Sequence, residues 1–150
     1  EDNDVGEGQI MQMRYSQTPA SRYLIQSQNL SPIPNLEVTI QPSHTNSKIL
    51  LCAMINSNAR HVTSFGFLRN NSTLTNGLSG NTNYHNRDTG GDMFNCFIQY
   101  MDMPNTTNPC TYSVGVSASW GGGTRDLYIN DRDSNDMRSI SSLTAYEIRG

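Results

Sequence analysis

The stretch that decides the fold class is TYSVGVSASW, residues 111–120. Its even positions are apolar or aromatic, and its odd positions are small or polar. The even set is Tyr112, Val114, Val116, Ala118 and Trp120. Successive side chains of a β-strand point to opposite faces, so a period of two predicts a strand with one buried face and one polar face.

The same period recurs along the chain and predicts an antiparallel β-sandwich or barrel of about eight strands with little or no helix. Turn-forming clusters, such as Ser31-Pro32-Ile33-Pro34 and Gly121-Gly122-Gly123, separate the apolar runs. Strands are predicted at about 10–15, 22–27, 36–41, 49–55, 62–69, 94–100, 111–120, 126–130 and 140–148. The predicted core comprises Leu36, Val38, Ile40, Leu51, Ala53, Phe94, Ile98, Tyr112, Val114 and Val116.

Composition limits the classes of partner. Of the 150 residues, 35% are hydrophobic and 15% are charged, and the formal net charge is -3. A chain with no Lys/Arg cluster cannot neutralise a row of phosphates, which disfavours nucleic-acid binding. No apolar run approaches the roughly 20 residues that span a bilayer, so membrane insertion is not expected.

Two parts of the chain differ in composition. Residues 1–9 are acidic and contain the Gly6-Glu7-Gly8 triplet, which predicts a linker or N-terminal arm. Residues 10–150 carry all of the apolar alternation. They are therefore predicted to form a single β-sandwich domain of ordinary size.

One predicted strand, residues 49–55, is apolar on both faces. A two-layer sandwich covers only the inner face of each sheet, so the outer face of this strand needs another cover. A loop of the same chain and a neighbouring subunit are both possible covers. Leu50, Cys52 and Met54 are assigned the outward parity and are the predicted oligomer contact, although the two parities could be exchanged because both are apolar.

The three cysteines, Cys52, Cys96 and Cys110, form no CxxC pair and are predicted to be buried free thiols. If the strands that carry Cys96 and Cys110 form a hairpin around the turn from Pro104 to Pro109, the two sulfurs lie too far apart to bond.

The sequence offers no catalytic constellation. The histidines fall in or beside predicted turns, and no G-x-S-x-G elbow is present, so no catalytic residue and no cofactor is assigned and the chain is not predicted to be an enzyme. Residues 131–136 resemble the start of a calcium loop, but the sixth position is Asp136 rather than Gly and no Glu follows at the twelfth. A solvated polar loop is therefore favoured there, and no metal site is assigned.

The long segment 70–92 is rich in Asn, Thr and Gly, and long loops of this kind are commonly functional or disordered. Aromatic faces can stack on sugar rings while Asn and Arg bind the hydroxyls, which suggests a saccharide site. The residues considered for it are Tyr84, His85, Arg87, Trp120 and Tyr128. The first four are the predicted ligand contacts, although Trp120 also fits the edge of the core.

Eight short stretches, taken together in their order and spacing, resemble a family of fibre and appendage domains from tailed bacteriophages of marine and freshwater bacteria. They are QIMQ (9–12), LEVTIQPS (36–43), NSKIL (46–50), FLRN (67–70), MP (103–104), TYSV (111–114), LYIN (127–130) and SSLTAYEI (141–148). Together they span nearly all of residues 9–148.

This resemblance implies a β-sandwich of jelly-roll type at the distal end of a fibre, commonly a symmetric homotrimer, with other virion proteins as partners. Such a domain is extracellular, is exposed on the virion and has no catalytic residues to transfer. Two functions follow as hypotheses: recognition of a host cell-surface glycan, or a purely structural role as a decoration or fibre subunit. A cellular lectin-like carbohydrate-binding module is a weaker third hypothesis.

Overall fold

The computed structural model describes residues 6–58, 61–74, 82–86, 93–120, 122–132, 134 and 136–150. Within the strands, the side chains of His61, of residues 82–86 and of Trp120 are not described. The described chain forms twelve strands. They are β1 (Ile10–Gln17), β2 (Tyr23–Ile25), β3 (Ser31–Ile40), β4 (Lys48–Ser57), β5 (His61–Arg69), β6 (Ser72–Thr73), β7 (Thr82–Asn86), β8 (Phe94–Asp102), β9 (Cys110–Trp120), β10 (Gly123–Thr124), β11 (Leu127–Ile129) and β12 (Ser142–Ile148).

The strands form two six-stranded antiparallel sheets that face each other, which confirms the predicted all-β sandwich. In sheet A the strand order is β1, β12, β4, β8. Strand β11 pairs with the end of β4, on the same edge that β12 occupies, and β2 pairs with β11. In sheet B the order is β3, β9, β5, with β10 beside the end of β9 and with β6 and β7 on the far edge of β5. Eight strands have five or more residues; they include β7, which the sequence analysis placed in a loop, whereas the predicted strands at 22–27 and 126–130 are the three-residue β2 and β11.

The core lies between the two sheets and consists of the inward positions of the alternating strands. Nine of the ten predicted core residues are buried, and Phe94 is half-buried at the start of β8. In β4, Leu51 and Ala53 are buried while their neighbours on the outward parity are partly exposed. Each fully buried Val, Leu or Ile contributes roughly 1.5 to 3 kcal/mol relative to an exposed one. The periodicity therefore assigned the inner faces of the strands that supply the predicted core residues.

The predicted hairpin of β8 and β9 is wrong. β8 pairs with β4 in sheet A, whereas β9 pairs with β3 and β5 in sheet B, so the connection 103–109 crosses from one sheet to the other. The crossing lets the apolar faces of both strands point into the same core, where Ile98 and Val114 are buried. Strands of a hairpin would instead have lain side by side in one sheet.

All three cysteines are free thiols, on strands whose partners differ from those predicted. Cys96 lies opposite Ile55 and Cys110 lies opposite Ile40, so the two residues belong to different sheets. Cys110 is buried, but Cys52 and Cys96 are only half-buried. The predicted burial therefore holds for one thiol of the three.

The cluster Ser31-Pro32-Ile33-Pro34 is strand rather than turn, because it begins β3. In the described chain β3 pairs only with β9, and an edge strand tolerates proline because its open side needs no ladder donors. The register shifts between Pro32, opposite Gly115, and Glu37, opposite Ser113. Asn35, within this irregularity, has the left-handed φ of 59°. The bulge absorbs the prolines without ending the strand.

The segment 70–92, predicted as a loop, contributes β6 and β7, which both pair with β5. Asn70 and Asn71 both have positive φ, 50° and 64°, as a type I′ hairpin turn requires. The described parts of this segment therefore continue sheet B.

The segments that enter and leave the sandwich are hydrogen-bonded to each other. β1 pairs with β12 along its length, the Gly8 amide donates to the Arg149 carbonyl at 2.8 Å, and the Arg149 amide donates to the Gln9 carbonyl at 2.9 Å. Within the described ranges, no helix is long and apolar enough to cross a bilayer.

Candidate functional site

Three of the four predicted ligand positions lie at one end of sheet B. Tyr84 and His85 are in β7, and Trp120 is the last residue of β9. Arg87, the fourth, lies outside the described residues. We call this end of the sandwich the loop end; it comprises the end of β7, the start of β5, the end of β9 and the adjacent strand β11.

The register shows how these positions come together. Val62 in β5 lies opposite His85 on one side and opposite Ser119 on the other. Neighbouring strands are about 4.8 Å apart, so the backbones of His85 and Ser119 are separated by about 10 Å, and Trp120 is the next residue along. The fold thus brings together positions that are distant in the sequence.

Tyr128 in β11 lies at the same end. Its carbonyl accepts a hydrogen bond from the Asn58 amide at 3.1 Å, and its own amide donates to Asn58 Oδ1 at 2.9 Å. Asn58 directly follows β4, so Tyr128 stands beside the end of that strand. The Arg22 guanidinium lies 3.7 Å from the centre of the Tyr128 ring, a cation–π contact. No local sequence signal indicated Arg22, because the two residues meet only in the folded chain.

The loop after β11 is not simply solvated, since its first carboxylate is buried. The Asp131 side chain is 0% exposed and is paired with Arg138 and, at 3.5 Å, with Arg22. The Arg132 amide also donates to Asp131 Oδ1 at 2.7 Å. Replacement of water by two guanidinium groups is what makes this burial tolerable.

The other described acid of this loop, Asp136, is also paired with an arginine, although it is exposed. Arg132 donates from Nε to Asp136 Oδ1 at 2.7 Å, and Ser134 donates to the same oxygen at 2.6 Å. These hydrogen bonds hold the pKa of Asp136 far below its usual range, with Arg132 the leading cause. Asp133 and Asn135 lie outside the described residues. In the described part of the chain no three His, Cys, Asp or Glu side chains are grouped as a metal site would need.

Two of the three thiols, those of Cys52 and Cys110, are poorly suited to nucleophilic chemistry. Burial raises the pKa of the Cys52 thiol despite a hydrogen bond from Gln99, and burial likewise raises the pKa of the Cys110 thiol. A thiol with a raised pKa is mostly protonated at neutral pH, and the thiolate is the reactive form.

A second surface with functional character is the outer face of sheet A. Paired residues on β1, β12, β4 and β8 form three rungs across it. The first rung is Met13, Tyr146, Leu50 and Met101; the second is Tyr15, Thr144, Cys52 and Gln99; the third is Gln17, Ser142, Met54 and Phe97. None of these twelve residues is charged.

Several residues of this face are strongly exposed. Met13 is 53% exposed, Tyr15 55% and Phe97 61%. Leu50 and Cys52, on the outward parity as predicted, are half-buried, and Met54 is 37% exposed. A folded protein rarely leaves so large a group of apolar side chains in water without a functional reason.

The outer face of sheet B is different. Ser64, Ser113 and Ser117 point outward there, yet they are buried. At Gly115 an added Cβ would lie 2.6 Å from Leu68 Cδ1 and 3.0 Å from Leu30 Cβ. The chain itself therefore packs closely over this small, polar face, whereas the apolar face of sheet A stays open.

At the end of the sandwich opposite the loop end, Glu147 is a buried carboxylate of β12. It accepts hydrogen bonds from the Ser43 amide, Ser47 Oγ and Gln12 Nε2, each at 2.6 Å. Burial acts to raise the pKa of Glu147, but the hydrogen bonds from Ser47, Gln12 and Ser43 outweigh it and hold the pKa below its ordinary value. The ionised carboxylate thereby fixes the 41–47 loop to β12.

We expect this carboxylate to make stability depend on pH. Because the folded-state pKa of Glu147 is lowered, its contribution is present above the ordinary value of 4.5 and is lost as the pH falls through the lower folded value. Glu147→Gln should reduce the free energy of unfolding at pH 7 by about 2 kcal/mol and flatten its pH dependence below about 5. Urea denaturation between pH 3 and pH 7 measures both effects. Glu37→Gln, an exposed position on β3, is the control, and an equal effect of the two substitutions would contradict the assignment.

Comparison with known proteins gives limited information. No known family matches the chain, and no curated protein matches it. Among solved structures the chain is similar to that of the infectious bursal disease virus Gx strain, with a TM-score of 0.33 and 14% identity over 92% of this chain and 38% of that chain. For the VP2 subviral particle of the same virus the TM-score is 0.37 and the identity 12%, over 94% of this chain and 39% of that chain. For the Gt strain the TM-score is 0.32 and the identity 16%, over 94% of this chain and 39% of that chain. The chain thus spans less than two fifths of the length of each. Similarities with TM-scores below 0.5 assign neither a fold family nor a function to this chain.

Proposed function

We propose that this chain is a non-enzymatic domain of a virion fibre or appendage, exposed outside the cell, that recognises a host-surface glycan through its loop end. The observation that supports the proposal is that the backbone positions of Tyr84, His85 and Trp120 lie near one another at one end of sheet B. The resemblance of residues 9–148 to phage fibre domains supplies the biological setting.

The chemistry of the loop end suits a saccharide. Tyr and Trp rings offer apolar faces for the faces of sugar rings, and their polar edges bind hydroxyls. Tyr128, with Arg22 against its ring, adds an aromatic and a cation beside the end of β4 in sheet A. Ligand sites of this kind combine a few aromatic surfaces with a small number of directed polar groups.

Assembly as a homotrimer with other virion proteins is part of this proposal and rests on the family resemblance. A single sugar site binds weakly. Several copies on one fibre multiply the apparent affinity by about 10² to 10⁴ when their spacing matches the surface.

A purely structural role as a fibre or decoration subunit is the second candidate. The uncharged, exposed outer face of sheet A favours it, because that surface suits a protein contact better than a sugar. The two functions can coexist, because β7 and β9 belong to sheet B whereas the outer face in question belongs to sheet A.

The test is binding of the labelled chain to an array of bacterial surface polysaccharides and lipopolysaccharides. We expect Tyr84→Ala combined with Arg87→Ala to lower the signal at least tenfold. His44→Ala combined with Asn105→Ala, exposed positions at the opposite end of the sandwich, should leave it unchanged. Unchanged binding by the first variant removes the loop end from the site, and absence of binding by the native chain favours the structural role.

A further inference from the structure

We infer that the outer face of sheet A is buried against a second copy of this chain. The inference deepens the proposed assembly by assigning its contact surface, and it rests on that part of the proposed function alone. It extends the three predicted contacts on β4 to β1, β12 and β8, and it places Phe97 and Tyr15 among the principal contacts.

The first argument is the character of the face. Its first rung, from Met13 through Tyr146 and Leu50 to Met101, is apolar or aromatic at every position. Phe97 and Tyr15 are more than half exposed, although each is large enough to anchor an interface. Water contact at these side chains is unfavourable, and burial against another apolar surface removes it.

The second argument is size. Four strands about 4.8 Å apart are about 20 Å wide, and three rungs plus the next, where Ile10 lies opposite Ile148, extend about 25 Å along the strands. The face therefore covers about 500 Å² in projection. Two such faces together reach about 1,000 Å², which is the lower range of specific protein interfaces.

The third argument concerns charge and selects the occupant. At the outward positions of β1, β12, β4 and β8, Lys48 at the margin is the one charged residue, although the chain carries a net charge of -3. Two copies can therefore bring these faces together without opposing like charges. A partner with a charged surface would meet no opposite charge among the twelve residues of the three rungs. In the first rung the Tyr146 hydroxyl is the one side-chain group that can bond a sugar hydroxyl, so this part of the face suits an apolar protein surface better than a polysaccharide.

The arrangement of copies is open to direct measurement. Two identical flat faces pack around a two-fold axis about 10 Å apart, whereas a ring of three offers each neighbour a different surface of the chain. In either arrangement the outer face of sheet A is buried. The number of copies in the assembly tests the proposed trimer. Whether substitutions on this face abolish the assembly tests the inference that the face is the contact.

The experiment is sedimentation of the full chain at about 10 to 100 µM. We expect the native mass to be a multiple of 16.7 kDa and expect Phe97→Lys combined with Met54→Lys to return it to that single-chain value. The matched control is Val62→Lys combined with Met137→Lys, which changes an outward residue of sheet B that is 38% exposed and a residue of the β11–β12 connection that is 47% exposed. The control should keep the native mass.

A dimer abolished by the face variant supports the inference and removes the proposed trimer, and a trimer abolished by it supports both. A monomeric native chain, or an assembly that the face variant leaves intact, overturns the inference. Neither result alters the loop-end proposal, which the glycan array tests separately.

A second measurement on the native chain avoids any folding defect of the variants. Cys52 lies in the middle rung and is half-buried in the single chain. Its alkylation by iodoacetamide, followed by peptide mass spectrometry, should become at least fivefold faster when the protein is diluted below its association range. Alkylation of the buried Cys110 should not change. A rate for Cys52 that is independent of concentration across dissociation overturns the inference.

Discussion

Val114→Asp should yield no folded protein. Val114 is 0% exposed at the centre of β9 and belongs to the apolar cluster of described residues between the two sheets. Burying an unpaired charge costs several kcal/mol, and the substitution also removes about 2 kcal/mol of apolar burial. Domains of this size are stable by about 5 to 15 kcal/mol in total. Soluble yield and far-UV circular dichroism are the measurements.

The control for this substitution is Thr39→Asp, which adds the same carboxylate to the exposed face of β3, the neighbour of β9. It should fold normally. Native-like soluble protein from Val114→Asp would mean that the inner face of β9 has been assigned to the wrong side of the sheet.

The second large effect is expected at Asp102, which joins the two sheets. From β8 in sheet A it accepts two hydrogen bonds from Arg69 Nη1, at 3.0 and 2.8 Å, and one from the Tyr112 hydroxyl at 2.6 Å. Both donors belong to sheet B. Burial, the hydrogen bond to Asp102 and its charge raise the pKa of Tyr112, so the phenol stays protonated as the donor.

Asp102→Ala should lower the free energy of unfolding by about 3 kcal/mol, because the Tyr112 hydroxyl and the Arg69 guanidinium lose their acceptor together. For a chain of this length that corresponds to a fall in Tm of about 10 °C. Tyr112→Phe, which removes only one hydrogen bond, should cost about 1 kcal/mol. Thermal unfolding followed by circular dichroism compares them, with Asp126→Ala on the surface as reference. If Asp102→Ala lowered the free energy of unfolding no more than Asp126→Ala does, the hydrogen bonds of Asp102 to Arg69 and Tyr112 would not contribute to stability.

The sequence predicted which residues of each strand point inward, because burial of one face leaves a period of two in the strand itself. In β4 it also identified a second apolar face and the correct outward parity of Leu50, Cys52 and Met54. Periodicity carries no information on which strand lies alongside. The pairing of β8 with β9 was therefore predicted from their adjacency in the chain, whereas packing across the core placed them in opposite sheets.

The candidate sites were predictable to different degrees. Tyr84, His85 and Trp120 were selected for their chemistry, and only the register of β7 and β9 on β5 shows that their backbones lie at the same end of sheet B. The burial of Asp131 had no sequence signal, because its arginines come from distant segments. Likewise, Met13, Tyr15 and Phe97 join one surface only when β1, β12, β4 and β8 are assembled.

The pairing of β1 with β12 also determines how the domain responds to pulling. The two strands are antiparallel, and Ile10 lies opposite Ile148, so a tension applied between the entering and leaving segments acts at one end of the ladder. Hydrogen bonds loaded in this way open one after another, as a zipper does, whereas bonds loaded along the strands would have to break together. A domain held in a fibre at both of these segments would extend from this seam first, under a small force, while the rest of the sandwich stayed closed.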